Sequence, residues 1–383
     1  MQRLRRLLLR LAALASRVST EAAPEPRRVL VIKPDHLGDL LLLTPALQRL
    51  RDGLPGAHVS LLVGPWAVEA VRGNPDVDAV LVCPFPGFTR GPKPGLLQPY
   101  TLLLRTALLL RAGHYDVALI ARDDHWWGAL LALVAGIPRR IGYAAPDAAA
   151  LLTEKLPYDP AEHVTLQGLA LVDRLTGRRP VSLPAMRAPI TPDDEAWAWT
   201  WLQAHGVEDH QRLVAIHPGS GGQAKLWLSS RWGMIADALM EDGTQVLLTG
   251  GPSERALIVE VAAGLRRHPL LLAGEATLGQ LAAIYRRCAL VAGVDSGPLH
   301  LAAAAGARTV TLYGPVDHGR FASWGPEGRH TVVRSGLWCS PCGAVESCPR
   351  GTSPSECMTT IGVSQVLAAV ELARPDRTTV TSA

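Results

Sequence analysis

Short, mainly apolar runs recur along the chain and set its rhythm. In the first half they are VLVIK at 29–33, HVSLLV at 58–63, AVLV at 79–82 and DVALI at 116–120. In the second half they are LVAIH at 213–217, TQVLLT at 244–249, LLLA at 270–273, ALVAGV at 289–294 and RTVTLY at 308–313. Runs that stay apolar rather than alternating with polar residues are typical of strands covered on both faces of a parallel sheet. Between them, helical periodicity covers 40–51, 100–111, 230–241, 253–266, 277–287 and 297–305. Strands alternating with helices predict an α/β protein with doubly wound, Rossmann-like domains. Two stretches break the pattern. Residues 84–99 (PFPGFTRGPKPGLLQP) read as a loop or insertion, and 176–192 (TGRRPVSLPAMRAPITP) read as a linker between two domains, 28–188 and 189–373. Two such domains facing each other would leave a cleft at the carboxyl ends of their sheets, where open α/β sheets bind ligands.

The N-terminus follows a different pattern. Over residues 3–18 (RLRRLLLRLAALASRV), Leu4, Leu7, Leu8, Leu11, Leu14, Ala15 and Val18 share one helical face, and Arg3, Arg6, Arg10 and Arg17 share the other. A basic amphipathic helix suits an anionic membrane surface, with 19–27 as a linker. A signal peptide is disfavoured by Arg10 inside the apolar stretch, and a helix packed on the body is the remaining alternative. No apolar run approaches the roughly 18 residues of a membrane span.

Composition narrows the class further. Of 383 residues, 48% are apolar and 19% charged, which excludes extensive disorder. The formal charge of +4 is spread rather than gathered into a stripe, so nucleic acid is not an expected partner.

Candidate chemistry lies where strands give way to loops. After the first strand, PDHLGD places Gly38-Asp39 at a helix start. Asp39 there is either a charge that favours the helix N-terminus or a general base for an attacking hydroxyl, with Asp35 and His36 as alternative bases. In HPGSGGQAKLW, 217–227, the Gly-rich segment with Ser220, Gly221 and Gly222 precedes Lys225, a combination of free N–H groups and a cation that suits a diphosphate. It lacks the GK[ST] ending of a Walker loop. In VDSGPLHLAAAAG, 294–306, Asp295-Ser296-Gly297 caps a helix, Pro298 falls in its first turn, and His300 sits one turn inside. In GGPSE, 250–254, Glu254 is placed to accept hydrogen bonds from a ribose or to stabilise its own helix turn. The absence of G-x-G-x-x-G after the first strand argues against a dehydrogenase.

Four cysteines, Cys339, Cys342, Cys348 and Cys357, are spaced C-x2-C-x5-C-x8-C. Four thiolates can hold a structural zinc or iron, and free thiols or disulfides are the alternatives. Cys83 and Cys288 read as ordinary buried residues.

Taken together, RVLVIKPDHLGDLLLLTPAL, HPGS followed by Lys225 and Trp227, TGGPSE and VDSGPLHLAAAAGARTVTLYGP resemble the family 9 glycosyltransferases, the heptosyltransferases of lipopolysaccharide biosynthesis. The resemblance runs from Arg28 to about Ala373. It implies the GT-B architecture, with two Rossmann-like domains and an active site in the cleft between them. It implies an inverting transfer that needs no catalytic metal or other cofactor. It implies Asp39 as base, Ser220, Gly221 and Lys225 on the donor diphosphate, Glu254 on the ribose, and Asp295, Ser296, Gly297 and His300 lining the donor site. The donor would be ADP-heptose and the acceptor a lipopolysaccharide core or related glycan, with the enzyme cytoplasmic and peripheral on the inner face of the inner membrane. Some family members carry similar cysteine clusters, including relatives that bind iron. A nucleotide-sugar epimerase of the same architecture, a transferase acting on a protein hydroxyl and a non-catalytic scaffold are the competing functions.

Overall fold

A computed structural model describes residues 25–89, 95, 97–208 and 211–373. The amphipathic stretch at 3–18 lies outside the described residues. The chain divides into two units, Met1–Pro184 and Ala185–Ala383.

In the first unit the apolar runs form β1 (Arg28–Lys33), β2 (His58–Val63), β3 (Ala79–Val82) and β4 (Val117–Ile120). They are joined by β5 (Arg139–Tyr143) and β6 (Glu154–Leu156) in a parallel sheet of order β3-β2-β1-β4-β5-β6. β1 lies at the centre, with Val29, Leu30 and Ile32 wholly buried. Helix Leu37–Gly53 covers one face and packs on helix Val164–Thr176. Gly168 permits that approach, since a Cβ there would stand 3.1 Å from the Ala46 side chain. Thr165 donates to the Leu42 carbonyl (2.8 Å) and Arg49 bonds Asp173 (3.1 Å), so the contact is pinned as well as apolar. On the other face, helices Gln98–Ala112 and Trp126–Val134 bury Leu103, Leu110, Trp127 and Leu131 against Leu30, Ile32 and Phe85.

β5 and β6 are not among the strands expected from the apolar runs, because their charge masks the signal. β5 reads RRIGY after Pro138, yet Arg140 is buried with its guanidinium donating to the carbonyls of Leu151 (2.8 Å) and Ile137 (2.6 Å). In β6, Glu154 is bonded by Arg139 (3.0 Å) and Arg174 (2.8 Å).

The second unit opens with helix Pro192–Ala204. Its start is fixed by a capping box in which Thr191 accepts from the Asp194 N–H (3.2 Å) and Asp194 accepts from the Thr191 N–H (3.0 Å). β7 (Leu213–His217), β8 (Gln245–Gly250), β9 (Leu270–Ala273), β10 (Leu290–Val294), β11 (Thr309–Tyr313) and β12 (His330–Arg334) form a parallel sheet of order β12-β11-β10-β7-β8-β9. β12 is an edge strand, mostly half-buried, which is why HTVVR carries a weak pattern. Helix Val363–Ala373 closes the core, placing Val366 and Val370 with Trp227, Trp232 and Ile361. No helix among the described residues is long and apolar enough to cross a membrane.

Candidate functional site

In the first unit, β1 ends at Lys33 and the chain turns through Pro34, Asp35 and His36 into helix Leu37–Gly53, which starts three residues ahead of the apolar periodicity. Asp39 therefore falls in the first helical turn, half-buried, where the helix N-terminus favours its carboxylate. Trp66 holds the loop: its indole N–H donates to the Asp35 carbonyl (2.9 Å) and its ring lies 5.6 Å from that of His36.

Asp35 faces inward and is 3% exposed. Lys33 Nζ stands 3.0 Å from one carboxylate oxygen and Arg122 donates to the other. Burial pushes this carboxyl up, but Lys33 and Arg122 more than offset it and hold it below its ordinary value. A carboxylate fixed between two cations is a weak proton acceptor, which leaves Asp35 poorly suited to act as a base. Asp35→Ala leaves those cations without their counter-charge and is expected to lower stability by about 3 kcal/mol, read from the urea midpoint. An unchanged midpoint would show that the cluster adds nothing to the fold.

Arg122 extends from the loop after β4, bonding Asp124 (2.6 Å) and lying over the Phe88 ring at 5.1 Å. Three residues on, His125 is buried. Its ring packs edge-on to Phe85 (5.3 Å) and Phe88 (5.7 Å), and neither ring nitrogen has a hydrogen-bond partner. Burial pushes its pKa down from 6.5 to about 4. Between pH 6.5 and 4 the unfolded chain would bind a proton that the folded chain refuses, so stability falls as pH drops through this window. His125→Phe is expected to make the loss of stability between pH 7 and 4.5 shallower. The check is the urea midpoint measured across that range in both proteins. A cavity of about 670 Å³ opens beside these residues, with Phe88, Tyr100, Arg122, Asp124, His125 and Trp126 in its wall.

In the second unit, β7 ends at His217, whose ring is buried, stands 3.1 Å from the Thr249 hydroxyl and is kept below its ordinary pKa by burial. The loop that follows carries Ser220 and the exposed Gly221 and turns through Gln223–Lys225. Lys225 does not project as a free cation, because its Nζ stands 3.1 Å from Asp295 Oδ2. Asp295, at the end of β10, is buried. Burial alone would raise its carboxyl, but the His300 hydrogen bond and the Lys225 charge bring it below its ordinary value. Ser220 Oγ donates to the Asp295 carbonyl (3.3 Å), joining the two loops. Ser296 is the N-cap residue of helix Gly297–Ala304 without a side-chain cap bond. Its hydroxyl and Nδ1 of His300 are buried and unpartnered. Buried polar atoms are nearly always satisfied, so two spare ones beside a helix N-terminus and a Gly-rich loop fit an anionic ligand site.

Glu254 is engaged locally. It accepts from the Gly251 N–H (2.7 Å), lies 3.6 Å from His217, and presses so close to Gly219 that a Cβ there would stand 2.1 Å from its Oε1. Trp227 belongs to the core, edge-on to Trp232 at 4.8 Å.

The cysteine cluster does not bear out a metal site. Among the described residues no group of three or more His, Cys, Asp or Glu side chains is placed to hold a metal ion. Cys357 is turned into the core while Cys342 is exposed, and the Arg350 guanidinium stands 3.9 Å from Cys339 Sγ, where it would repel a metal cation. The thiols still feel one another: burial, then the neighbouring Cys342, Cys348 and Cys339, raises Cys357, whereas hydrogen bonds from Thr352 and the Arg350 backbone lower Cys348. Brief alkylation of the native protein is expected to label Cys348, Cys342 and Cys339 and to spare Cys357, Cys288 and Cys83, the last pushed up to about 11 by burial. Peptide mass spectrometry reads this, and protection of the first three would restore the metal reading.

Two features of the site have no local signature in the sequence. One is the buried position of His125 and the pairing of Arg122 with Asp35. The segment RDDHWW could have drawn attention only by its density of charge and aromatic rings. The other is a strut from the cysteine-bearing segment: the Val345 carbonyl accepts from the Ala224 N–H (3.0 Å), and a Cβ on Gly222 would stand 2.6 Å from that oxygen.

Two parallel six-stranded α/β units, the second with an anion-suited pair of loops, match the GT-B architecture. The profile of glycosyltransferase family 9 (heptosyltransferase) matches residues 103–350, and the chain belongs to that family. It is 28% identical over 305 residues to lipopolysaccharide heptosyltransferase 3 of Escherichia coli strain K12, covering 75% of this chain and 82% of the relative. Among solved structures, the family 9 glycosyl transferase of Veillonella parvula superposes with a TM-score of 0.77 at 23% identity, over 91% of this chain and 97% of that one. The E. coli ADP-heptose lipopolysaccharide heptosyltransferase II superposes with a TM-score of 0.70 at 21% identity, over 90% and 98%.

Proposed function

We propose that this enzyme transfers heptose from ADP-heptose to a lipopolysaccharide core acceptor with inversion at the anomeric carbon. The similarity to lipopolysaccharide heptosyltransferase 3 along most of both chains carries this reading. In the proposed reaction the acceptor hydroxyl attacks the anomeric carbon as Asp39 takes its proton. The bond from that carbon to the diphosphate oxygen breaks, and the electron pair leaves with ADP. Ser220, Gly221 and Lys225 would stabilise the departing diphosphate, assisted by the N–H groups of Ser296 and Gly297 and the spare hydrogen-bonding capacity of His300. Glu254 would meet the ribose with its remaining acceptor capacity. Residues 3–18 would hold the enzyme to the anionic cytoplasmic face of the inner membrane, near a lipid-linked acceptor.

The test supplies ADP-heptose and lipopolysaccharide from a core-truncated strain, follows ADP release, and determines the anomeric configuration of the product by proton NMR. Release of ADP with a heptosylated core of inverted configuration is expected. Absence of ADP binding would overturn the donor, a retained configuration the mechanism, and heptose appearing on protein instead of glycan the acceptor.

A further inference from the structure

A chain of buried polar groups runs from the core of the second unit to Glu254. Tyr285 on helix Leu278–Arg287, Thr249 in β8 and His217 at the end of β7 are each 1% exposed or less. We infer that His217 is a positioning residue: the two hydroxyls behind it fix its proton on Nε2, and that N–H holds the Glu254 carboxylate in the orientation that selects a ribose over a deoxyribose. This rests on the reading of Glu254 as the ribose contact and adds what orients it.

The hydroxyl oxygens of Tyr285 and Thr249 are 2.8 Å apart, and Thr249 Oγ1 stands 3.1 Å from His217 Nδ1. Thr249 has one proton to donate. Its other acceptor, the Ile216 carbonyl, lies farther off at 3.4 Å, so the proton goes to Nδ1 while Tyr285 donates to Thr249. Burial keeps the imidazole neutral against the opposing influence of Glu254. A neutral ring whose Nδ1 accepts carries its proton on Nε2. That nitrogen faces Glu254 Oε2 at 3.6 Å, longer than a hydrogen bond but near enough for the N–H dipole to attract a carboxylate. The opposite tautomer would turn a lone pair toward the same oxygen and repel it. Oε2 also accepts from the Gly251 N–H at 2.7 Å, and Oε1 lies against Gly219, where a Cβ would stand 2.1 Å away. Glu254 itself is half-buried, with lone pairs left for a ligand. Burying two hydroxyls and an imidazole costs stability unless each is bonded, and apolar groups of the same shape would serve the core as well. What the polar set adds is direction, because it decides which nitrogen carries the proton. An acceptor fixed in direction rejects an analogue that lacks the matching hydroxyl far better than a mobile one does.

The test uses the full chain and calorimetric affinities for ADP, 2′-deoxy-ADP and 3′-deoxy-ADP. In the wild type, loss of the hydroxyl that Glu254 reads should weaken binding by about tenfold or more, the effect of a hydrogen bond to a charged group. His217→Phe keeps a buried ring and removes both nitrogens. It should shrink that ratio toward unity, while affinity for the disfavoured deoxynucleotide stays at the wild-type value because that nucleotide never used the contact. A role confined to packing would lower all three affinities together and leave the ratio intact. His217→Gln, which can still present an N–H to Glu254, should recover part of the ratio. Thr249→Val decides the matter should His217→Phe fail to fold: it removes the hydroxyl that holds Nδ1, and the ratio should shrink there too. An undiminished ratio in folded His217→Phe, or in Thr249→Val where that alone folds, would overturn this inference and leave the proposed function standing. A wild type that binds ADP and both deoxynucleotides equally would overturn the ribose contact and this inference with it, and a wild type that binds no ADP would overturn the proposed donor.

Discussion

Asp39→Ala is expected to lower turnover by about 10²–10⁴-fold, the usual contribution of a general base, while ADP affinity stays near wild type. The two measurements separate because Asp39 belongs to the first unit and the anion-suited loops belong to the second. The fold should survive. Asp39 is half-buried in the first turn of its helix, outside the buried core. Asp39→Asn sharpens the test, because it keeps the shape and hydrogen-bonding capacity and removes the basicity. Loss in both variants identifies proton acceptance as the function. Turnover within a few-fold of wild type in either would remove Asp39 from that role, and Asp35 could not easily replace it while Lys33 and Arg122 hold its carboxylate.

Lys225→Ala has the second largest expected effect, on two properties at once. Removing a charged group from a buried, hydrogen-bonded pair costs about 2–5 kcal/mol in binding, so ADP affinity should fall by 30-fold or more. The variant should also be less stable, because Asp295 loses the cation that helps to hold its buried carboxylate ionised. The double variant Lys225→Met with Asp295→Asn distinguishes the two effects. It removes both charges, so stability should return while ADP affinity stays low. If affinity returned as well, Lys225 would be a counter-ion for Asp295 and nothing more.

The legible part of this molecule is its doubly buried strands and the loops that follow them. VLVIK, LVAIH and ALVAGV announce themselves because strands covered on both faces admit few polar residues. β5 and β6 did not, because Arg139, Arg140 and Glu154 are satisfied by partners distant in sequence. The same distinction divides the candidate site. Asp39, Ser220, Lys225, Asp295 and His300 sit in recognisable strand-to-helix turns. That Lys225 faces Asp295, or that His125 is stranded among Phe85, Phe88 and Trp127, depends on side chains meeting across the sheet edge. The cysteine spacing meets the same limit: spacing along the chain does not record that Cys357 turns inward and Cys342 outward.

The two sheets follow one plan. Reading outward from the centre, β3-β2-β1-β4-β5-β6 matches β9-β8-β7-β10-β11-β12 strand for strand. β1 therefore corresponds to β7 and β4 to β10, so the loops bearing Asp39 and Lys225 occupy one address in the two units, and those bearing His125 and Asp295 occupy the other. In both units the residues at the two addresses are linked by a part-buried ion pair, Asp35 with Arg122 in one and Lys225 with Asp295 in the other, with the charges exchanged between addresses. The two units share a strand order and reverse the sign of this ion pair. Exchanging the sign within the first unit, by an Asp35→Lys and Arg122→Asp pair, would ask how firmly the surrounding residues fix it.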